Sequence, residues 1–161
     1  MKINGYENIL LELPYLLEGN NYDITILSNA AALLNMHMKN INWVGFYIYK
    51  DNILKLGPFQ GKPACTDIPM SKGVCGLCGR ERKTIIVEDV HKFPGHIACD
   101  SASMSEICIP IIINNELYGL LDIDAPIINR FNEIDKEYLE KITTIITNSI
   151  KNIWHYFILL L

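Results

Sequence analysis

Two pairs of strand-like segments, each joined by a two-residue polar turn, constrain the fold of this chain most strongly. The first pair is INWVGFYIYK at 41–50 and ILKLGPF at 53–59, separated by an Asp-Asn dipeptide. The second pair is EICIPIIIN at 106–114 and ELYGLLDID at 116–124, with an Asn-Asn turn between them. β-Branched and aromatic residues favour strands, and short turns rich in Asn and Asp favour hairpins. The sequence therefore predicts two antiparallel hairpins.

Helical periodicity flanks these hairpins on both sides. Residues 6–18 carry apolar side chains at helical spacing, but Pro14 predicts either a short helix or a kinked pair of turns. Residues 23–38 predict a second helix with Asp23 as its N-cap. Residues 131–154 predict a long amphipathic helix that closes the chain.

The segment 60–105 between the hairpins is rich in Gly, Cys, His and Ser and is predicted to be mostly irregular. We expect one short helix near 74–82 and one short strand at 84–89. Functional side chains concentrate in such loops, because a loop residue is free of the hydrogen-bonding pattern of a sheet.

The order of helices, sheet and closing helix predicts an α+β domain. We expect the N- and C-terminal helices on one face of a central antiparallel sheet, and the loop-rich, cysteine-containing segment on the other face. A chain of 161 residues forms one domain. We therefore assign 1–161 to a single domain, with the sheet and site region at about 41–126 and the helices at about 6–38 and 131–155.

Charge and hydropathy exclude several classes of function. The formal net charge is −4 and the basic residues form no run, which argues against a nucleic-acid-binding surface. No apolar stretch reaches the roughly 18 residues of a membrane span. The N-terminus lacks the pattern of a signal peptide, so we expect a cytoplasmic protein. In that compartment its five cysteines are expected to be reactive or metal-binding rather than structural.

Strand alternation places three residues of the first hairpin on one face. Trp43, Gly45 and Tyr47 share this face, and the glycine is expected to leave a slot between the two rings. Asp122 and Asp124 likewise share one face of the last strand. These carboxylates either lie at a solvated strand end or line an acidic, aromatic-walled pocket that suits a small cationic ligand.

A third carboxyl group is expected beside this pair. If the Asn-Asn turn is a two-residue hairpin loop, position 107 faces position 122, and Glu106 lies close to Asp122 and Asp124. Crowded carboxylates raise at least one pKa, which would supply a proton donor near neutral pH.

The cysteines allow several interpretations. Cys108 lies within an apolar strand, where a buried and inert thiol is expected. For the other four, the alternatives are scattered free thiols, a zinc site and a thiol-redox site; the zinc site would add His91 and His96 as ligands. Zinc folds usually contain two paired cysteine motifs, and this chain has one, C-G-L-C at 75–78. The redox interpretation fits best, because several loop cysteines accompany the acidic, aromatic pocket.

Beyond these residue-level arguments, longer motifs resemble a known family. The motifs INWVGFY, LGPFQGKPAC, KGVCG, VEDVHKFPGHIACDSAS, SEI and LDID followed by NRF resemble the free methionine-(R)-sulfoxide reductases, whose fold is a GAF-like domain. The resemblance extends from about residue 5 to residue 145. It implies reduction of the R-sulfoxide of free methionine, and not of methionine sulfoxide within proteins.

The resemblance also implies roles for individual residues. Cys99 matches the catalytic nucleophile, Cys65 the resolving cysteine that forms a disulfide with it, and Cys75 an accessory thiol. Trp43 and Tyr47 match the aromatic wall around the methyl and sulfur end of the substrate. The acids that bind the amino group and the sulfoxide oxygen correspond to Glu106, Asp122 and Asp124, and Glu106 and Asp124 are the expected proton donors.

The partners follow from the same resemblance. Thioredoxin is the expected reductant, with NADPH upstream, and no metal or tightly bound cofactor is expected. Cys78 and Cys108 depart from the family pattern, and Cys78 could offer an extra resolving thiol. The alternative is a GAF-type sensor that binds a small ligand without turnover, or a zinc-binding regulatory domain. A homodimer through the helices is also expected.

Overall fold

The computed structural model describes residues 2–97 and 100–159. Its elements in chain order are α1 (Lys2–Leu17), α2 (Asp23–His37), β1 (Trp43–Lys50), β2 (Ile53–Gly61), β3 (Asp67–Pro69), α3 (Gly73–Glu81), β4 (Ile85–Val87), β5 (Ser105–Ile113), β6 (Glu116–Ala125) and α4 (Glu133–Leu159). A single 3₁₀ turn follows β4 at Val90–Lys92. None of the helices within the described residues has both the length and the apolar character that a bilayer crossing requires.

The strands form one antiparallel sheet in the order β3-β2-β1-β6-β5-β4. Both predicted hairpins are confirmed. Their turns, Asp51-Asn52 and Asn114-Asn115, hold all four residues at positive φ, between 50° and 67°. Asn and Asp accept this left-handed backbone more readily than other non-glycine residues, which is why these turns favour the hairpins.

The helices α1, α2 and α4 cover one face of the sheet, as predicted. Their apolar stripes pack on inward-facing residues of β1, β5 and β6, among them Phe46, Ile107 and Leu121. The other face carries a second apolar cluster, formed with α3 and the loops around it. The expected α+β arrangement, with helices on one face and the cysteine-rich segment on the other, is confirmed.

Two local predictions about the helices are wrong. α1 is a single helix that begins at Lys2 and continues through Pro14, rather than a short helix or a kinked pair of turns. Buried Ile9 and Leu13 attach it to the core, and this tertiary packing overrides the local preference of the proline. Asp23 is the first residue of α2, and its N-cap is Tyr22.

The register of the second hairpin also differs from the prediction. At the irregularity between Ile111 and Ile112, β6 contains one extra residue, Tyr118, so Asp122 lies opposite Cys108 instead of Ile107. As a result, Glu106 lies directly opposite Asp124. The short strand β3, within the segment predicted to be irregular, extends the sheet by pairing with the start of β2.

Candidate active site

Two rows of side chains cross the central strands on the face opposite the helices. In the first row Trp43 of β1 pairs with Asp124 of β6, which pairs with Glu106 of β5. The second row follows in the same way and consists of Gly45, Asp122 and Cys108. The alternation of strand side chains places both rows on one face. The predicted meeting of aromatic and acidic residues is therefore present in the structure.

The aromatic wall consists of stacked rings held by backbone carbonyls. The Trp43 ring centroid lies 5.9 Å from that of Tyr47 and 5.4 Å from that of Phe59, which the sequence analysis did not assign to the site. The Trp43 indole N–H donates to the Lys62 carbonyl at 3.2 Å, and the Tyr47 hydroxyl donates to the Cys65 carbonyl at 3.0 Å. These bonds fix both rings against the loop after β2.

Gly45 is necessary for this packing. A Cβ atom at this position would lie 2.6 Å from Cη2 of Trp43 and 2.4 Å from Cβ of Phe59. The expected slot over the glycine is thus filled by the neighbouring rings. The open space lies instead over the acidic residues.

The three carboxyl groups converge as predicted, in a largely dehydrated position. Glu106 is 5% exposed and Asp122 is 6% exposed. Burial raises the pKa of Glu106 well above its usual value, and the charges of Asp122 and Asp124 raise it further. Burial likewise raises the pKa of Asp122 and, together with the charge of Asp122, that of Asp124. Protonated carboxyl groups are therefore available here at a pH where an exposed carboxyl is ionised.

A cavity of about 30 Å³ lies above these acids, enough space for about two water molecules. Residues from all sides of the site line it, including Trp43, Tyr47, Ala64, Val74, Cys75, His96, Asp100, Glu106, Asp122 and Asp124.

Asp100, at the edge of the cavity, contrasts with the three central acids. It accepts a hydrogen bond from the Ala102 backbone N–H at 2.9 Å, and its carboxylate lies 3.3 Å from Nζ of Lys62 and 3.2 Å from Nδ2 of Asn42. These contacts, led by the backbone N–H, lower the pKa of Asp100. The cavity therefore combines an ionised acid at its edge with protonatable acids in its centre.

Two free thiols touch the acids. Cys75, in the first turn of α3, places its sulfur 3.7 Å from Oε1 of Glu106 and 3.5 Å from the sulfur of Cys108. The Cys108 sulfur lies 3.2 Å from both Oε1 of Glu106 and Oδ1 of Asp122. The bond with Cys108 lowers the pKa of Cys75, but burial and the nearby carboxylates more than offset it, so the pKa is raised well above its usual value. Burial also raises the pKa of Cys108.

Sequence analysis missed the position of Cys108 within the site. It was expected to be an inert core thiol because its neighbours in sequence are apolar. The thiol is fully buried, yet it lies on the same strand face as Glu106, two residues away. The alternation that grouped Asp122 with Asp124 would have identified it.

The remaining cysteines have different environments. Cys65 is disulfide-bonded, and its carbonyl accepts the Tyr47 hydroxyl. Cys78 is a fully buried free thiol, and burial raises its pKa. Cys99 lies outside the described residues, so its role as the nucleophile and its pairing with Cys65 stay predictions.

The two histidines considered as zinc ligands lie in different places. The exposed His91 places Nε2 3.4 Å from the sulfur of Met104. His96 lines the cavity, and its Nδ1 is 4.0 Å from Oε2 of Glu106. Burial lowers the pKa of His96, which favours its neutral form.

Comparison with known proteins identifies the family. The GAF domain model matches residues 25–151. A relative named free methionine-R-sulfoxide reductase, from Escherichia coli, is 42% identical over 141 residues, which cover 88% of this chain and 86% of that protein.

Two solved structures agree with this assignment. The structure of fRMsr of Staphylococcus aureus in complex with substrate is 51% identical, with a TM-score of 0.86, and the match covers 90% of this chain and 95% of that one. Free methionine-R-sulfoxide reductase from Neisseria meningitidis, in complex with its substrate, is 34% identical with a TM-score of 0.90, covering 94% and 91% of the two chains. This chain therefore belongs to the GAF-domain family of free methionine-R-sulfoxide reductases.

Proposed function

We propose that this protein is an oxidoreductase that reduces free L-methionine (R)-S-oxide to L-methionine. The observation that carries the proposal is the convergence of Glu106, Asp122 and Asp124 under an aromatic wall, next to the disulfide-bonded Cys65. A sensor that only binds its ligand needs neither a redox-active cysteine nor a carboxyl group that can donate a proton. The names of the relatives support the same substrate.

In the proposed reaction the Cys99 thiolate attacks the sulfoxide sulfur. The oxygen takes up a proton and remains on the enzyme as a sulfenic acid at Cys99, while methionine leaves as the thioether. The thiol of Cys65 then condenses with the sulfenic acid, forming a disulfide and releasing water. Sulfur thus changes from sulfoxide to thioether, and two thiols become one disulfide.

Glu106 or Asp124 supplies the proton to the sulfoxide oxygen. Both residues line the cavity, and burial raises the pKa of each, so that each retains its proton at a higher pH than an exposed carboxyl does. The positive charge that develops on sulfur is stabilised by the ring of Trp43 and by the carboxylates around it. Tyr47 completes the wall around the methyl and sulfur end, and Cys75 serves as an accessory thiol in disulfide exchange.

Recognition of both charged ends explains a preference for the free amino acid. Asp122 and its neighbours bind the ammonium group. Backbone N–H groups at the start of α3 suit the carboxylate, because Gly73 and Val74 line the cavity and helix N-termini attract anions. A methionine sulfoxide residue within a protein carries neither charge and loses both interactions.

An external dithiol completes the cycle. Thioredoxin, kept reduced by NADPH upstream, would reduce the Cys65–Cys99 disulfide by thiol–disulfide exchange. This requirement favours a cytoplasmic location, and the chemistry needs no bound cofactor. A homodimer through the helices remains part of the proposal.

The direct test is an assay of both epimers of free methionine sulfoxide with thioredoxin, thioredoxin reductase and NADPH. We expect turnover of the R epimer alone, and none of a peptide containing methionine sulfoxide. Cys99→Ser is expected to abolish turnover, whereas Cys78→Ser is a matched control that keeps it. Normal activity of Cys99→Ser would contradict the proposed nucleophile, and no turnover of either epimer by folded protein would contradict the function.

Cys65→Ser separates the two half-reactions. Without a recycling thiol this variant is expected to release roughly one methionine per chain, because attack by Cys99 does not need the second thiol. With thioredoxin it is expected to cycle far more slowly than the wild type. Equal steady-state rates would assign the resolving step to another cysteine.

A further inference from the structure

Two thiols and two carboxyl groups meet in the centre of the sheet face described above. They belong to Cys75, Glu106, Cys108 and Asp122, all four of which are buried, and their ligand atoms all lie within 4.8 Å of one another. We propose that these four side chains bind one Zn²⁺ ion. This site shares only Cys75 with the zinc site considered from the sequence, which combined the cysteines at 65, 75, 78 and 99 with His91 and His96.

Four of the six distances between the ligand atoms are close to those of tetrahedral zinc coordination, and the other two are at most 4.8 Å. With ordinary bond lengths, tetrahedral Zn²⁺ separates two thiolate sulfurs by about 3.8 Å and a sulfur from a carboxylate oxygen by about 3.5 Å. The sulfurs of Cys75 and Cys108 are 3.5 Å apart. The sulfur-to-oxygen distances to Glu106 are 3.7 Å and 3.2 Å, and that from Cys108 to Asp122 is 3.2 Å. These four distances need shifts of only a few tenths of an ångström.

The backbone places the ligands firmly. Glu106 and Cys108 are two residues apart on β5, and Asp122 is the cross-strand partner of Cys108 on β6. Cys75 approaches from the first turn of α3, which packs on the sheet through buried Val74 and Cys78. Because β5, β6 and α3 already hold the four side chains close together, binding an ion costs little conformational entropy.

The charge environment favours a cation. Within the described residues, no Lys or Arg nitrogen forms an ion pair with Glu106 or Asp122; the one basic group within 4.0 Å is His96, at Glu106. Buried carboxylates without a counter-charge are unfavourable, and a divalent cation removes that penalty. The pair of sulfur ligands selects Zn²⁺ over Mg²⁺ or Ca²⁺, which prefer oxygen. Each thiol releases its proton when the ion binds.

Zinc binding has a consequence for the reaction. Glu106 and Asp122 would be occupied by the ion and withheld from the sulfoxide and the ammonium group. Zn²⁺ is therefore expected to inhibit in competition with substrate. This consequence alone rests on the proposed function.

Binding is tested on reduced, metal-free protein without any substrate. A competition titration with a chromophoric chelator is expected to give one Zn²⁺ per chain. Co²⁺, used as a spectroscopic probe, is expected to give the intense visible bands of a tetrahedral ion and a thiolate-to-cobalt charge-transfer band. A folded protein without reductase activity could still pass this test, so the two proposals fail separately.

The variants assign the ligands. Cys108→Val keeps size and strand preference but removes the ligand, and it is expected to weaken Zn²⁺ binding at least about 100-fold. Cys75→Ala removes a second ligand and must weaken Zn²⁺ binding to the same extent. Cys78→Val is the matched control, because this buried thiol lies three residues from Cys75 on the same helix but outside the four ligands; it is expected to bind like the wild type.

Two results would overturn the site. One is unchanged Zn²⁺ affinity and cobalt bands in Cys108→Val and Cys75→Ala. The other is loss of the Zn²⁺ affinity and of the cobalt bands in the double variant Cys65→Ser/Cys99→Ser, which would locate the ion at the loop cysteines. Retention of the bands in that double variant supports the proposed site.

Discussion

The two faces of the central strands are both largely buried but differ in chemistry. On the helix-covered face, Phe46, Ile107 and Leu121 are fully buried and apolar. On the opposite face, alternate positions of the same strands hold carboxyl and thiol groups, including Glu106, which is 5% exposed. Burial of the apolar set stabilises the fold, whereas burial of the acidic set destabilises its charged forms. Because side chains alternate along each strand, one face of the sheet stabilises the fold and the other face carries the reactive groups.

A buried acid in the helical layer sharpens this contrast. Asp135, fully buried, accepts hydrogen bonds from the Tyr6 hydroxyl at 2.6 Å, from Nη1 of Arg130 at 3.0 Å and from the Asn132 backbone N–H at 2.8 Å. Among the described residues, Glu106 has no such arginine, and its contacts are with the weakly polar thiols, with Asp122 and with His96. A carboxylate with an arginine partner, such as Asp135, is structural, whereas the three central acids of the site, which form no ion pair with Lys or Arg in the described part of the chain, are available to a ligand.

The largest expected effect is on the reactive face. Glu106→Gln keeps the shape of the side chain but cannot donate an acidic proton, so kcat/KM for free methionine sulfoxide is expected to fall by about 10²–10⁴-fold. Stability should be equal to or greater than that of the wild type, because the substitution removes a buried ionisable group. Steady-state kinetics and thermal unfolding test both parts; an unchanged kcat/KM would exclude Glu106 as the proton donor.

The next residue along β5 tests the other face. Ile107→Ala removes a fully buried side chain that packs under the helices, and the free energy of unfolding is expected to fall by about 2–5 kcal/mol. The folded variant should keep kcat/KM within a few-fold of the wild type, since Ile107 points away from the cavity. Denaturant unfolding and kinetics below the transition measure the two quantities. A large loss of activity with unchanged stability would contradict the separation of the faces.

The fold was largely predictable because the strong local signals agree with one another. Aromatic and β-branched strands, Asn and Asp at the turns, and the long amphipathic period of α4 all point to the same sheet and helices. The errors occur where tertiary packing overrides local preference. α1 continues through Pro14 because its buried stripe attaches it to the core, and the three-residue β3 is an edge strand too short to show a pattern.

The site was predictable only as far as strand alternation extends. Alternation grouped Trp43 with Tyr47 and Asp122 with Asp124, and the structure brings all four to one cavity. The irregularity at Ile111 has no signal in the local pattern, and it changes which residue faces Asp122. The contact of Cys75 with the acids depends on how α3 packs across the sheet, which a linear pattern does not specify.

The smallest expected effect concerns the pH dependence of stability. Because the pKa of Asp124 is raised in the folded state, the folded protein retains a proton that the unfolded chain loses above about pH 4. The contribution of Asp124 to stability is therefore greatest below that pH and decreases as the pH rises toward the folded-state pKa. Asp124→Asn removes this loss and also removes the charge repulsion between Asp124 and Glu106. The melting temperature of the variant should therefore exceed that of the wild type by a few degrees at pH 8.

The same substitution should give no advantage near pH 4, where both carboxyl groups are protonated in the wild type. Melting curves with a metal chelator, taken from pH 4 to pH 8, measure the difference directly. A paired acid gives the opposite sign, so Asp135→Asn is the matched control and is expected to destabilise the protein, since Asp135 accepts from Tyr6 and Arg130. If Asp124→Asn destabilised the protein at pH 8 as much as Asp135→Asn does, the site acids would be structural like Asp135. The two faces would then not differ as described.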